Sequence, residues 1–137
     1  DHLQREGSTL WDGIRNYQAR NFMRSMQIGD RAFFYHSNTK PPGIVGLMEV
    51  VETQIVDPSQ FDPNSKYFDP AASLQKPRWD CCRLRYLRHF QQLLSLDALR
   101  ENFSPEQLGV VKRGNRLSIL PVEPSSAKRL LDLLESP

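Results

Sequence analysis

The stretch "RAFFYHSNTKPPGIVGLMEVVETQIV" (residues 31–56) decides the fold. Both of its ends are rich in aromatic and β-branched residues, which suit a pleated, half-buried surface. Between them "NTKPPG" (38–43) interrupts pairing, because Pro41 and Pro42 carry no amide hydrogen for a sheet ladder. The pattern predicts a strand over 31–37, a turn, and a long strand over 44–56. Gly46 inside the second strand marks a bulge or a point of close backbone approach.

Upstream, Ala19, Phe22, Met23 and Met26 recur at the spacing of one helical stripe, predicting a helix over 16–26 that ends before Gly29. Its approach, "WDGIRNY" (11–17), is unusually polar and aromatic for a helix that only packs. Residues 1–10 read as loop. Downstream, residues 57–77 hold Pro58, Pro63, Pro70 and Pro77 among Asp, Asn and Ser, a long loop of the kind that carries function or wraps a core. Asp57, Asp62 and Asp69 sit in turn-forming contexts, where Asx-turns explain them better than acid–base chemistry. "RWDCCRLRYLRHF" (78–90) alternates, with Cys82, Leu84 and Tyr86 on one face and Arg83 and Arg85 on the other; an unbroken strand puts Trp79 on the arginine face. A short helix starts at Ser95, and "SPEQ" (104–107) has the capping-box pattern with Pro105 at a first helical position. "NRLSILPV" (115–122) reads as a further strand after a basic turn, and a final helix runs from Pro124. Strands do not alternate with crossover helices, so the class is α+β, a curved, mostly antiparallel sheet or small barrel with flanking helices.

A chain of 137 residues fits one domain with one real core, and no apolar run reaches membrane-spanning length. Cys81 and Cys82 are adjacent, so in a strand they face opposite ways and read as a reduced pair in an intracellular setting. His2, His36 and His89 are scattered, and neither a metal site nor a cofactor motif is visible. The chain opens at Asp1 rather than Met.

The net charge of +2 is unevenly spread. Residues 9–40 carry five basic and two acidic side chains, 41–75 carry one and five, and 76–91 carry five and one. Lys112, Arg113 and Arg116 follow with no acid between 110 and 120. Basic blocks separated by acidic ones either form a solvated mixture or converge on one face for a polyanion.

At "FYHSN" (34–38) a His36–Ser37 hydrolytic pair is disfavoured, since adjacent strand residues point apart and no G-x-S-x-G surrounds them. The aromatics Trp11, Tyr17, Tyr35 and Trp79 lie beside arginines or small polar groups. Together with the basic blocks they match the needs of an unstacked base: aromatic faces for stacking, amides and hydroxyls for its edge, and Arg or Lys for the phosphates. Stacking contributes roughly 1–3 kcal/mol per base and extracting a nucleotide costs a few, so one aromatic barely breaks even.

"WDGIRNYQARNFMRSMQIGD" (11–30), "FFYHSNTKPPGIVGLMEV" (33–50), "DPSQFDPNSKYFDP" (57–70), "PRWDCCRLR" (77–85) and "RGNRLSILPV" (113–122) resemble, in order and spacing, the EVE domain, a PUA-like family that includes the thymocyte nuclear proteins. The resemblance implies a PUA-like barrel over 1–137, opening past the family's usual leading strand. It further implies a non-catalytic module that recognises a modified base, such as a modified cytosine, in DNA or RNA. By the same resemblance the pocket residues are Trp11, Asn16, Tyr17, His36, Ser37, Trp79, Arg116 and Ser118. Arg15 is expected with them, either buttressing the pocket or sitting in it: four residues before Ala19, it leans toward the buried stripe, where it needs a carboxylate such as Asp12 or Asp30. Phosphates are expected at Arg20, Arg24, Arg83, Arg85, Lys112 and Arg113, on a monomer that works in the cytoplasm, or in the nucleus of a eukaryotic cell. The alternative is a small ASCH-type hydrolase or nuclease. A scaffold with no ligand would instead bury both Trp11 and Trp79.

Overall fold

In a computed structural model, the structure describes residues 8–115 and 119–135. In chain order it contains β1 (Ser8–Trp11), α1 (Tyr17–Arg24), β2 (Arg31–His36), β3 (Gly43–Val56), β4 (Asp80–Ser95), α2 (Leu96–Asn102) and α3 (Pro124–Glu135). Single 3₁₀ turns lie at Pro58–Phe61 and Gly109–Val111. The four strands form one antiparallel sheet in the order β1-β4-β3-β2.

β3 and β4 run 14 and 16 residues, far beyond an ordinary strand. A straight 14-residue strand is about 46 Å long, more than the roughly 35–40 Å width of a domain this size. The pair has to bend, and it does so at register shifts between Ile44/Gly46, Leu47/Met48, Val50/Glu52 and Glu52/Ile55. The shift at Leu47/Met48 leaves Leu87 between the partners Tyr86 and Arg88, which reverses the alternation of β4. Tyr86 consequently shares a face with Met48, while Arg88 and Phe90 share the opposite face with Leu47. Gly46 is the close-approach point its sequence suggests, since a Cβ there would lie 2.7 Å from the Tyr86 hydroxyl.

Each face buries its own core. One holds Ile14, Ala19, Met23, Met48, Val50, Cys82 and Leu84 under α1. The other holds Ile44, Leu47, Phe90, Leu99, Phe103, Leu108, Val111 and Leu130 under α2 and α3. Cys81 and Cys82 are both buried and both free thiols, as a strand covered on its two sides requires. Burial pushes Cys81 up to about 12, helped by the charge of Asp57, and Cys82 up to about 11.

Several local expectations need correction. Ser8–Trp11 is an edge strand rather than loop, paired with Cys82–Arg85. β4 begins at Asp80 and continues to Ser95, so Trp79 precedes the strand. Ser104–Gln107 forms a turn in which the Gln107 carboxamide accepts from the Ser104 amide, and no α-helix follows. Of the strand expected over 115–122, the described residues Asn115 and 119–122 carry no strand pairing.

Candidate functional site

β1 and β2 lie at opposite edges of the sheet, yet the rings of Trp11 and Phe34 meet edge to face with centroids 5.7 Å apart. The sheet has therefore curled until its two free edges approach across the first core. Trp11, Phe34, Tyr86 and Ile119 are all half-buried against that core, and His36 continues the line 6.0 Å beyond Phe34. Tyr86 carries the aromatic lining further, its hydroxyl 2.7 Å from Nδ1 of His89. The result is a seam of aromatic rings with two imidazoles at its exposed rim. Ser37 is exposed and directly follows β2, at the same end as His36.

A second group forms where the approach to α1 meets the 57–79 loop. Asp57, fully buried, accepts from the Gly13 amide (2.9 Å), the Ser59 amide (2.8 Å) and hydroxyl (2.6 Å), and Arg15 (3.1 Å). Burial alone would raise the Asp57 carboxyl, but the hydrogen bonds from Ser59, Gly13 and Arg15 outweigh it and hold its pKa below the usual carboxylate range. Arg15 also donates twice to the Tyr67 carbonyl, at 2.9 and 2.6 Å. The partner of Arg15 is thus Asp57, not Asp12 or Asp30. Gly13 has φ +81°, and a Cβ there would sit 2.6–2.8 Å from the Tyr67 ring, so the group its missing side chain admits is Tyr67. Buried Gln60 spans the loop, donating to the carbonyls of Asp57 and Trp79 and accepting from the amides of Arg78 and Trp79. All three aspartates make the expected Asx-turns, to Ser59, Asn64 and Ala71.

This scaffold fixes an aromatic stack. Trp79 is 5% exposed and donates its indole N–H to Asp69 at 2.7 Å. Tyr17 lies on it with centroids 4.8 Å apart and planes inclined at 24°, and its hydroxyl accepts from Arg78. Trp79 therefore does not share the face of Arg83 and Arg85. Asn16 is occupied as the N-cap of α1, its side-chain oxygen accepting from the Ala19 amide at 3.0 Å.

The expected site residues thus fall into two groups: Trp11, His36 and Ser37 at the seam, and Arg15, Tyr17 and Trp79 at the loop, with Asn16 between them in sequence. Arg116 and Ser118 lie outside the described residues. Only Trp79 of the two tryptophans is buried, and Trp11 is half-buried. His36 and Ser37 are both exposed neighbours, and among the described residues no three His, Cys, Asp or Glu side chains cluster to hold a metal. Of the expected phosphate contacts, Arg24 pairs with Asp80 (2.6 Å), Arg83 with Glu52 (3.2 Å) and Arg85 with Glu49 (2.5 Å). Arg20, Lys112 and Arg113 have no carboxylate at ion-pair distance among the described residues. One surface cavity, about 390 Å³, lies away from both groups, between α1 and residues 105–109 and 120–123; a second, about 490 Å³, lies between the far half of β4 and the end of α3 and is lined in part by His89 at the seam's rim. Among the described residues no helix is long and apolar enough to cross a membrane.

The EVE domain family model matches residues 1–133. The chain belongs to the EVE domain family. Among curated relatives, human "Thymocyte nuclear protein 1" is 37% identical over 139 residues, covering 96% of this chain and 62% of that protein. Across three such vertebrate relatives the match spans from 39% to 62% of their length. Among solved structures, a Pseudomonas syringae protein superposes with TM-score 0.91 at 43% identity, covering 96% of this chain and 88% of that one. Human THYN1 protein, in complex with 5-methylcytosine containing DNA, superposes with TM-score 0.87 at 37% identity, covering 95% and 80%. The fold is accordingly the α+β architecture that the sequence patterns predict, in the PUA-like form that the resemblance implies.

Proposed function

We propose that this EVE domain is a non-catalytic reader of a modified cytosine in DNA, working as a monomer beside the genome, and that the Trp11–Phe34–His36 seam receives the base. The observation that carries the reading is the 37% identical, TM-score 0.87 match to human THYN1 protein in complex with 5-methylcytosine containing DNA. The seam supports it chemically. A base displaced from its stack needs aromatic faces, and Trp11, Phe34 and Tyr86 provide several within one half-buried surface. His36 and Ser37 supply hydrogen-bonding groups at the rim, where a base edge is read. Arg20, Lys112 and Arg113, the expected phosphate ligands without a carboxylate partner among the described residues, are the cations readiest to meet the backbone.

The test is an affinity comparison at one stated salt concentration, using oligonucleotides that differ only in a single 5-methylcytosine. Tighter binding of the methylated strand is expected, with Trp11→Ala losing about ten-fold or more of that affinity and Ser37→Ala losing the preference. Equal affinity of the wild-type protein for both strands sinks the proposal.

A further inference from the structure

Tyr17 combines two properties that rarely coincide. It is 46% exposed, and yet it is rigidly held. Its inner face rests on buried Trp79, and its hydroxyl is held by Arg78, which in turn pairs with Asp69 at 3.4 Å. Asp69 accepts from the indole of Trp79, closing a ring of contacts around the stack. Core packing does not explain this investment, because Tyr17 belongs to neither hydrophobic core.

Two cations, Arg20 and Arg78, flank the Tyr17 ring, which stays exposed to solvent. Arg20 lies 4.6 Å from the Tyr17 centroid and 5.8 Å from that of Trp79, while the two rings are 4.8 Å apart. Three comparable separations place Arg20 beside the stack, since a guanidinium centred on the outer face would be well over 5.8 Å from Trp79. Arg78 is likewise at the rim, bonded to the hydroxyl. Arg20 is oriented by the Arg78 carbonyl at 3.0 Å and by the Asn21 side chain, both neutral acceptors. Burial, and then repulsion from Arg24, disfavour its charge, whereas Arg24 itself is matched to Asp80. An oriented cation without an ion-pair partner among the described residues therefore stands next to an exposed aromatic ring held by its own stack.

We infer that Tyr17 and Arg20 form a second nucleotide subsite, in which an unpaired base stacks on the outer face of Tyr17 and its phosphate meets Arg20. This deepens the base-reading proposal and rests on it for the choice of ligand: the substrate is a strand with a second unstacked nucleotide, not one isolated base. The chain geometry permits it, because Trp11 and Tyr17 are six positions apart and so at most about 20 Å from each other. A few nucleotides span that gap. Because the stack is already ordered, little conformational entropy remains to be lost on binding.

The experiment is a double-mutant cycle on single-stranded DNA of about ten nucleotides. The strands carry one 5-methylcytosine, or cytosine, with either a normal or an abasic residue at each flanking position in turn. Wild-type protein should lose about ten-fold in affinity when one particular flanking base is removed. Tyr17→Ala should be equally weak on both strands of that pair, whereas Tyr17→Phe should bind within about two-fold of wild type. Arg20→Gln should flatten the slope of log Kd against log salt by about 0.7, the value for one lost phosphate contact on a single strand. Thermal melting of each variant separates lost binding from lost folding, and the abasic series on wild-type protein needs no variant at all. No effect of any flanking base on the wild type overturns the subsite, as does a full flanking-base effect retained by Tyr17→Ala. If methylated and unmethylated strands bind equally, the modified-base reading fails while the flanking-base coupling still decides this subsite. If no strand binds, both fail.

Discussion

A single methyl group at Gly13 tests how tightly the approach to α1 is built. The residue has φ +81°, and a Cβ would overlap the Tyr67 ring at 2.6–2.8 Å. Gly13→Ala should cost about 2–3 kcal/mol by urea denaturation, from backbone strain plus displacement of Tyr67. The Asp57 carboxyl below it makes the same region acid-sensitive. Its folded pKa lies beneath the 3.8 of the free group. The unfolded chain thus takes up the proton first, so the stabilisation is complete above about pH 4 and is lost as pH falls through the folded pKa. Asp57→Asn should remove about 3 kcal/mol at neutral pH and make the fall in stability below pH 4 shallower, as thermal melts across that range will show. At this scale the sequence was only partly informative. The Asx-turns of Asp57, Asp62 and Asp69 were legible because they are made two residues away. The Arg15–Asp57 pair was not, since it joins residues 42 positions apart and nothing local distinguishes Asp57 from nearer acids.

Among the elements, those with strong internal periodicity were legible and those defined by a distant partner were not. α1 announces itself through the Ala19–Met23 stripe, and α3 through its leucines. β1 is four half-buried residues whose partners, Cys82–Arg85, lie more than 70 positions away, so only the register reveals a strand. The parity reversal at Leu87 was equally hidden, and it is what hands the end of β4 from one core to the other. α1 is short enough to lean on its cap: Asn16→Ala should cost about 1 kcal/mol, and Asn16→Asp should restore most of it, measured by chemical denaturation. The same pair of variants weighs the cap against the base-reading role expected for Asn16. An aspartate that rescues stability without rescuing affinity would assign the carboxamide to the ligand as well.

For the whole molecule, the governing feature is a sheet with a core on each face and its two edges curled toward one another. Hydrogen exchange should accordingly be slowest at the paired centre of β3 and β4, faster in the edge strands β1 and β2, and fastest in the exposed parts of the 57–79 loop. The general architecture was visible in the sequence, because its strand patterns do not alternate with crossover helices; the burial of both faces was not, because the arginines that alternate along 78–90 read as one solvated side, whereas Cys81 and Cys82 are both buried. The seam was less visible, because Phe34 and Tyr86 look like ordinary strand aromatics until the sheet curls. The adjacent cysteines carry one more consequence. They are neighbours in sequence, but they look out through opposite sides of β4, and neither thiol is ionised while its side stays closed. They amount to two stopwatches fixed to one strand. Their separate rates of modification by a small thiol reagent record how often each side of that strand opens, and a ligand seated at the seam should slow the clock at Cys82, which lies in the first core, more than the one at Cys81.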